Sequence, residues 1–394
     1  MQRKYIEKDF VRKRQRADNS LKGIKRMEEI VIFGWSGVGK KLYKDFYEKG
    51  IAVSGICDNS RIRREKIGGG IEVGTVQDTS MKFPNAIYYL ASLYHQKQMK
   101  DQLLELGISK ENIRTELPES IIDEEMRDTS KKSQTRKNKI TFQVSIAKHC
   151  NLNCAMCNHF APLSEESFLD IEVFKKDIER MSELFGGEAD GILLLGGEPL
   201  LNPDIDKYIK IARHYFKDAE IRIVTNGILL KRMSDAFWKA CIDNKAVIAV
   251  TKYPINLDYE EIIQLCEEHN CTFDFMGISE ATRTFNKECL DISGSQDHNK
   301  NFLRCRWGNS CITLDAGRLF SCRTPANIDI FNRYFDMNLE PLNDDFVNIY
   351  DSYTKEEVLQ KLASPMLFCR YCNMNNWTYD NDFKISSRDI SEWV

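Results

Sequence analysis

Apolar residues along this chain follow two alternating rhythms, and that alternation is the first indication of its fold. The first third holds EEIVIF, IAVSGIC and NAIYYLAS, each a short apolar run of strand length. Between the first two lies KKLYKDFYEKG, where Leu42, Phe46 and Tyr47 fall on one side of an amphipathic helix. From Lys139 the pattern repeats with greater regularity. Strands are expected over 140–146, 191–195, 221–225, 246–251 and 272–276, with amphipathic helices over 171–185, 205–216, 235–244 and 259–269. A sixth strand is expected after Asp291. Strand–helix alternation of this kind predicts an α/β chain built on parallel sheets with crossover helices.

The divisions follow from the same pattern. Residues 1–26 form a basic arm with ten Lys or Arg against three acids. This arm reads as a solvated helix or frayed segment, or as a surface for an anionic partner. An α/β domain with a Rossmann-like parallel sheet follows over 27–117. PESIIDEEMRDTSKKSQTRKN, over 118–138, is polar and reads as a linker or peripheral helix. A second α/β domain spans 139–300, and a cysteine-rich extension spans 301–394.

Composition narrows the classes. The chain has 394 residues, 42% of them hydrophobic, and a net charge of −3, which describes an ordinary soluble protein with no basic excess for nucleic acid. No run approaches eighteen apolar residues and the N-terminus lacks an apolar signal core, so no membrane span is expected and the cytoplasm is the expected compartment. Thirteen cysteines, an odd number without a signal peptide, argue against a disulfide framework. Eight fall in two clusters, at 150–157 and 305–372, and metal binding is their natural use. Cys57, Cys241, Cys266, Cys271 and Cys289 read as small buried hydrophobes.

The first glycine turn is Gly34-Trp-Ser-Gly37-Val-Gly39, close to a dinucleotide fingerprint, with Asp58 placed where an acid binds a ribose. Ser36 replaces the second fingerprint glycine. The same residues fit most of a phosphate-binding GxxxxGK at Gly34–Lys40, but Lys41 stands where the magnesium-binding Ser or Thr belongs. Three readings follow: a tight strand–helix turn and no more, a nucleotide or nucleotide-sugar site, or a phosphate loop. The domain also weakly resembles the Rossmann-like units fused to enzymes of surface-polysaccharide pathways.

Chemistry concentrates in IAKHCNLNCAMCNHFAP, which spaces Cys150, Cys154 and Cys157 as C-x3-C-x2-C behind the strand at 140–146. Three soft thiolates can wrap one face of an iron–sulfur cube and leave one iron open; with His159 as a fourth donor they could instead hold zinc. CNLNCAMC followed by GGEP at Gly196, Gly197, Glu198 and Pro199 resembles the radical S-adenosylmethionine (radical SAM) superfamily. Met156 stands where that family commonly has an aromatic residue. The resemblance implies a partial (β/α)6 barrel and a 4Fe–4S cluster whose open iron is chelated by SAM. It also implies that the GGEP segment binds the SAM amino group, with the Glu198 carboxylate able to accept from the ammonium. Thr225 and Asn226, in TNG at the third strand end, could reach the SAM ribose or carboxylate, or form an ordinary turn. Thr251 and Lys252 end the fourth strand, where the lysine could pair with the SAM carboxylate, an anionic substrate, or solvent. Gly277 and Ile278, after the fifth, could pack beside adenine. His159 is then better read as a pocket residue.

The C-terminal cysteines are similar to the "twitch" form of the SPASM-type extension, which holds one auxiliary 4Fe–4S cluster. The resemblance carries ligation to Cys305, Cys322, Cys369 and Cys372, with Gly317 five residues before Cys322. Cys311 is surplus: an alternative ligand, a packed hydrophobe or a hydrogen donor. Spacing alone would also allow a structural zinc site. By resemblance the chain cleaves SAM reductively to a 5′-deoxyadenosyl radical and abstracts a substrate hydrogen atom, using an electron donor such as flavodoxin or ferredoxin. The expected activity is an oxidoreductase or epimerase on a small carbohydrate, a nucleotide-linked sugar or polysaccharide precursor. An epimerase would need a thiol to return hydrogen, with Cys271, Cys289 and Cys311 as candidates. The alternatives are a peptide or protein maturase, and a non-catalytic nucleotide-sugar-binding or zinc-stabilised protein.

Overall fold

In the computed structural model, residues 29–59, 66–67, 71–92, 96–122, 124, 140–276 and 284–394 are described. The basic arm at 1–26, most of the 118–138 linker, and Gly277 and Ile278 lie outside them. The chain divides into two units, Met1–Glu125 and Met126–Val394.

The first unit runs β1 (Ile30–Phe33), α1 (Gly37–Glu48), β2 (Gly55–Cys57), β3 (Lys66–Ile67), β4 (Ile71–Gly74), α2 (Val76–Lys82), β5 (Ile87–Leu90), α3 (Gln96–Glu105) and β6 (Ile113–Arg114). Its sheet has the order β3-β4-β2-β1-β5-β6, parallel except for the β3–β4 pair. Successive strand residues enter opposite cores. Val31, Phe33, Tyr88 and Leu90 pack on one side, Ile32, Ile56, Leu42 and Phe46 on the other. Burial on both faces is what a parallel sheet with crossover helices requires. Val38, Leu42 and Phe46 form the inward stripe of α1, while Tyr47 falls off it and is 45% exposed. The expectation that Tyr47 shares the buried face is corrected by the helical period.

The second unit begins with β7 (Ile140–Ala147), α4 (Ile171–Phe185), β8 (Ala189–Gly196), α5 (Ile205–Tyr215), β9 (Glu220–Thr225), α6 (Asp235–Asp243), β10 (Val247–Val250), α7 (Tyr259–Glu268) and β11 (Thr272–Phe275). It continues with β12 (Thr284–Lys287), α8 (His298–Arg304), β13 (Thr313–Asp315), β14 (Arg318–Phe320), α9 (Arg323–Phe335), β15 (Phe346–Asn348), α10 (Lys355–Leu362) and β16 (Thr378–Asp382). Phe142, Val144 and Ile146 alternate along β7 into a core shared with Ile192, Leu194, Ile223 and the inner faces of α4 and α5. Each such side chain contributes roughly 1.5–3 kcal/mol on burial. Two of the helices start at aspartate caps: Asp170 accepts from the N–H groups of Glu172 and Val173 ahead of α4, and Asp258 from those of Glu260 and Glu261 ahead of α7.

The sheet order is β11-β10-β9-β8-β7-β13-β14-β15. A sixth parallel strand does follow Asp291, but β13 joins the free edge of β7 rather than that of β11. The C-terminal extension thus continues the same sheet, adding β14 and β15 antiparallel. Ala316 (φ 47°) and Gly317 (φ 78°) make the two-residue turn between β13 and β14. The Gly317 N–H donates to Asp177 Oδ2 at 2.8 Å, and the Tyr350 hydroxyl to Oδ1 at 2.6 Å. A side chain at Gly317 would bring a Cβ to 2.8 Å from the Tyr350 ring. Burial holds the Asp177 carboxyl above its usual range, the two donors opposing it.

Candidate active site

β7 ends at Ala147, and the chain turns at once into the cysteine loop. Asn153, Met156 and Phe160 take left-handed conformations (φ 51°, 60° and 55°), coiling the loop so that three thiols share one small volume. Burial pushes Cys150 up to about 12; the Leu152 N–H opposes the rise, and the charges of Glu198 and Cys157 add to it. Cys154 and Cys157 are raised too, burial again the main cause. Three thiols in one short loop, with Cys150 and Cys157 within each other's field, are a donor set of the kind that binds an iron–sulfur cluster.

The GGEP turn is built against this loop through backbone. Gly197 N–H donates to Ala147 O at 2.8 Å and Glu198 N–H to His149 O at 3.0 Å. A Cβ at Gly196 would lie 2.0 Å from Ala147 O, and one at Gly197 2.1 Å from His149 O. Only glycine permits that approach. Glu198 is 1% exposed, and its carboxylate accepts from Leu200 N–H (3.0 Å), the Thr225 hydroxyl (2.6 Å) and Asn226 N–H (2.9 Å). Burial raises it to about 7 against those three donors. The carboxylate therefore braces the third strand end internally. Thr225 is likewise turned inward. Asn226 instead reaches the cysteine loop, its Nδ2 donating to Asn151 Oδ1 at 2.7 Å. At the fourth strand end Thr251 N–H donates to Thr225 O, and the Lys252 ammonium lies over the Tyr259 and Phe275 rings at 5.3 and 5.2 Å.

Several residues that the sequence did not single out complete this end of the sheet. Tyr253 is half-buried, and its hydroxyl is raised well above the usual phenol value by burial and by the fields of Cys154, Cys157 and Cys150. A C-terminal strap crosses the loop: Ala155 N–H donates to Lys384 O (2.8 Å), Ser386 N–H to Asn153 O (2.8 Å), and Trp393 Nε1 to Cys157 O (2.9 Å).

The second cysteine set lines one pocket of about 530 Å³, open mouth included, where Cys305, Cys322, Cys369 and Cys372 stand among Phe302 and Met366. Burial pushes Cys305 up to about 12, the neighbouring Cys322 adding to it, and the other three are raised as well. Asn301 Nδ2 fixes the CRYC turn by donating to the Cys369 and Cys372 carbonyls at 2.9 and 2.6 Å. Among the described residues no three His, Cys, Asp or Glu side chains converge on one point at ion-binding distance. The fit of each set to a cluster rests on the field its thiols share and, for the second, on the pocket they line.

A buried polar bridge links the two sets. Arg323, 4% exposed, donates through Nη2 to both Glu288 oxygens (2.7 and 2.9 Å) and through Nη1 to Cys311 Sγ (3.3 Å), with its guanidinium 4.6 Å from the Trp307 ring. Asn158, beside Cys157, donates to Glu288 Oε1 at 3.4 Å. Arg323 Nε, Trp307 Nε1 and His159 Nδ1 are buried without hydrogen-bond partners among the described residues. Burial, then the charges of Arg323 and Lys148, push His159 down to about 3, so its imidazole is neutral.

The three candidate hydrogen-donor thiols separate. Cys311 stands at this bridge, outside the four-thiol pocket. Cys271 precedes β11, at the opposite strand end from the cysteine loop, with its thiol on the Trp238 carbonyl and beside Cys241. Cys289 turns away from the pocket that Glu288 and Leu290 line, donating to Asn376 O at 3.1 Å. Both thiols are therefore held by backbone carbonyls away from the bridge.

In the first unit, α1 already begins at Gly37, so Gly39 and Lys40 lie inside its first turn and no loop remains to cradle phosphates. This removes the phosphate-loop reading. Gly34 (φ 103°) and Gly39 are required sterically, since a Cβ on Gly39 would lie 1.9 Å from Gly34 O. Asp58 Oδ2 accepts from Trp35 N–H at 2.5 Å, pinning the same turn.

Residues 144–258 match the family model of the Radical SAM superfamily. Among curated relatives, the GTP 3′,8-cyclases of Nautilia profundicola and Aliarcobacter butzleri are 32% and 35% identical over 90 and 96 residues, covering 23% and 24% of this chain and 28% and 29% of theirs. The chain spans less than a third of the length of these relatives. Among solved structures, BtrN in complex with AdoMet and 2-DOIA is 16% identical, with 60% of this chain and 94% of that one covered and a TM-score of 0.39. Streptococcus suis SuiB bound to precursor peptide SuiA is 12% identical, with 61% and 76% covered and a TM-score of 0.31. At these scores the likeness bears on neither activity nor substrate. The family match instead falls on the strands and turns that carry the cysteine triad, and residues 144–258 are a radical SAM domain, which implies a 4Fe–4S cluster and SAM at that triad.

Proposed function

We propose that this chain is a radical SAM oxidoreductase or epimerase acting on a small polar substrate, a carbohydrate or nucleotide-linked sugar, held between two cysteine-bound clusters. The observation that carries this is the Asn158–Glu288–Arg323–Cys311 bridge between the two thiol sets. When bound, the first cluster and SAM would supply hydrogen-atom abstraction through the 5′-deoxyadenosyl radical, and the second cluster a one-electron acceptor. Cys150, Cys154 and Cys157 would hold the first; Cys305, Cys322, Cys369 and Cys372 the second.

The remaining roles belong to the chain itself. Gly196 and Gly197 offer backbone carbonyls beside the triad for the SAM ammonium, Glu198 and Thr225 brace that edge, and Tyr253 closes it. Arg323 Nε and Trp307 Nε1 are donors in need of acceptors, and hydroxyl or carbonyl oxygens of a sugar would satisfy them. Cys311 is the thiol placed to return hydrogen if the outcome is epimerisation. The glycine turn of the first unit is by itself a second candidate site, for a nucleotide or nucleotide sugar.

The test is iron and sulfide analysis of anaerobically reconstituted protein, coupled to a 5′-deoxyadenosine assay against nucleotide sugars, free sugars and peptides. About eight Fe per chain, with 5′-deoxyadenosine formed on sugars, is expected. SAM cleavage dependent on a peptide alone would transfer the assignment to a maturase, and stoichiometric zinc without iron would remove the enzyme reading.

A further inference from the structure

Arg323 and Glu288 form a buried ion pair against the four-thiol pocket. Arg323 follows Cys322 directly and opens α9. Glu288 lines the pocket itself, as does Trp307, on whose ring the guanidinium lies. Arg323 also donates to Cys311 Sγ at 3.3 Å, so its positive charge is turned toward sulfur on one side and carboxylate on the other. At 4% exposure, solvent screens this charge weakly. A buried pair of this kind contributes little net stability, because desolvation offsets its attraction. Folding energetics alone therefore do not account for its place.

We propose that Arg323 and Glu288 are opposed positioning charges that set the reduction potential of the cluster held by Cys305, Cys322, Cys369 and Cys372, Arg323 raising it and Glu288 lowering it. The inference rests on the two-cluster reading above. Its physics is Coulombic. Reduction adds one negative charge to a thiolate-bound cluster, which a fixed cation nearby favours and a fixed anion opposes. Asn158 and Arg323 both hold Glu288, so the carboxylate's field is fixed in position rather than averaged over rotamers.

The experiment is an anaerobic potentiometric titration of the full-length reconstituted protein, followed by electron paramagnetic resonance. A parallel titration with Cys150, Cys154 and Cys157 changed to Ala isolates the second cluster's signal. Arg323→Met is expected to lower that cluster's midpoint potential and Glu288→Gln to raise it, while Arg323→Lys leaves it near the unsubstituted value. Shifts of the same sign, or none, at unchanged iron content would overturn the proposal. If Arg323→Met fails to retain iron, Glu288→Gln and Arg323→Lys decide the matter: a potential that does not rise in the first, or that falls in the second, overturns it. An unsubstituted chain holding about four Fe instead of eight would overturn the two-cluster reading itself, a result separable from any shift in potential.

Discussion

Replacing Trp393 by Phe would remove one hydrogen bond from the strap over the cysteine loop while keeping an aromatic ring between Phe160 and Phe335. The Cys157 carbonyl that loses the indole N–H keeps the N–H of Phe160 at 3.0 Å. It is not orphaned, so the cost is that of one net hydrogen bond, about 0.5–1.5 kcal/mol, rather than a full desolvation penalty. If the strap opens locally, that cost multiplies the open population by roughly 2- to 13-fold. Chelator-driven bleaching of the cluster absorbance, under anaerobic conditions with a ferrous chelator in excess, should accelerate by the same factor. Trp393→Ala, a buried aromatic truncation costing about 3–5 kcal/mol, should speed it far more and lower the iron retained on purification. An unchanged rate in both variants, with iron content intact, would refute the view that this segment guards the triad.

Other consequences are as direct. Changing Cys150, Cys154 and Cys157 together to Ala should abolish 5′-deoxyadenosine formation while leaving about four Fe in the second pocket, both read by iron analysis and chromatography. Gly197→Ala would force a Cβ to 2.1 Å from the His149 carbonyl, and the loss of SAM binding should exceed tenfold by equilibrium dialysis. Cys311→Ser should leave the iron content unchanged, whereas Cys305→Ser should lose the second cluster. Asp177→Ala leaves the Gly317 N–H unpaired and should cost about 1–3 kcal/mol in denaturant unfolding. The raised Asp177 carboxyl also has a pH signature. Its stabilising contribution is fully present below the unfolded carboxylate value and is lost as pH rises through the raised folded value, so Asp177→Asn should flatten that part of the stability profile.

The strand and helix alternation was legible because burial imposes a period of two on strands and 3.6 on helices. α4 begins and ends where the pattern places it, at Ile171 and Phe185. The GGEP and TNG segments stood out as glycine-bearing strand ends. The partner of the Glu198 carboxylate did not, because Thr225 and Asn226 lie on a different strand whose register only packing sets.

What the sequence by itself determined is local: the element types, the cysteine spacing that coils one loop around a shared volume, and the glycines where backbone must meet backbone. Tertiary structure decided everything that joins distant segments. It put β13 on the edge of β7, drew Cys305 and Cys322 together with Cys369 and Cys372, carried 384–393 back over the cysteine loop, and paired Arg323 with Glu288 thirty-five residues away. It also separated Cys271 from Cys311, which spacing could not rank, because packing sets one thiol on the Trp238 carbonyl and the other under the Arg323 guanidinium. Periodicity records which face a residue shows to the core; it carries no information about which other segment will meet that face.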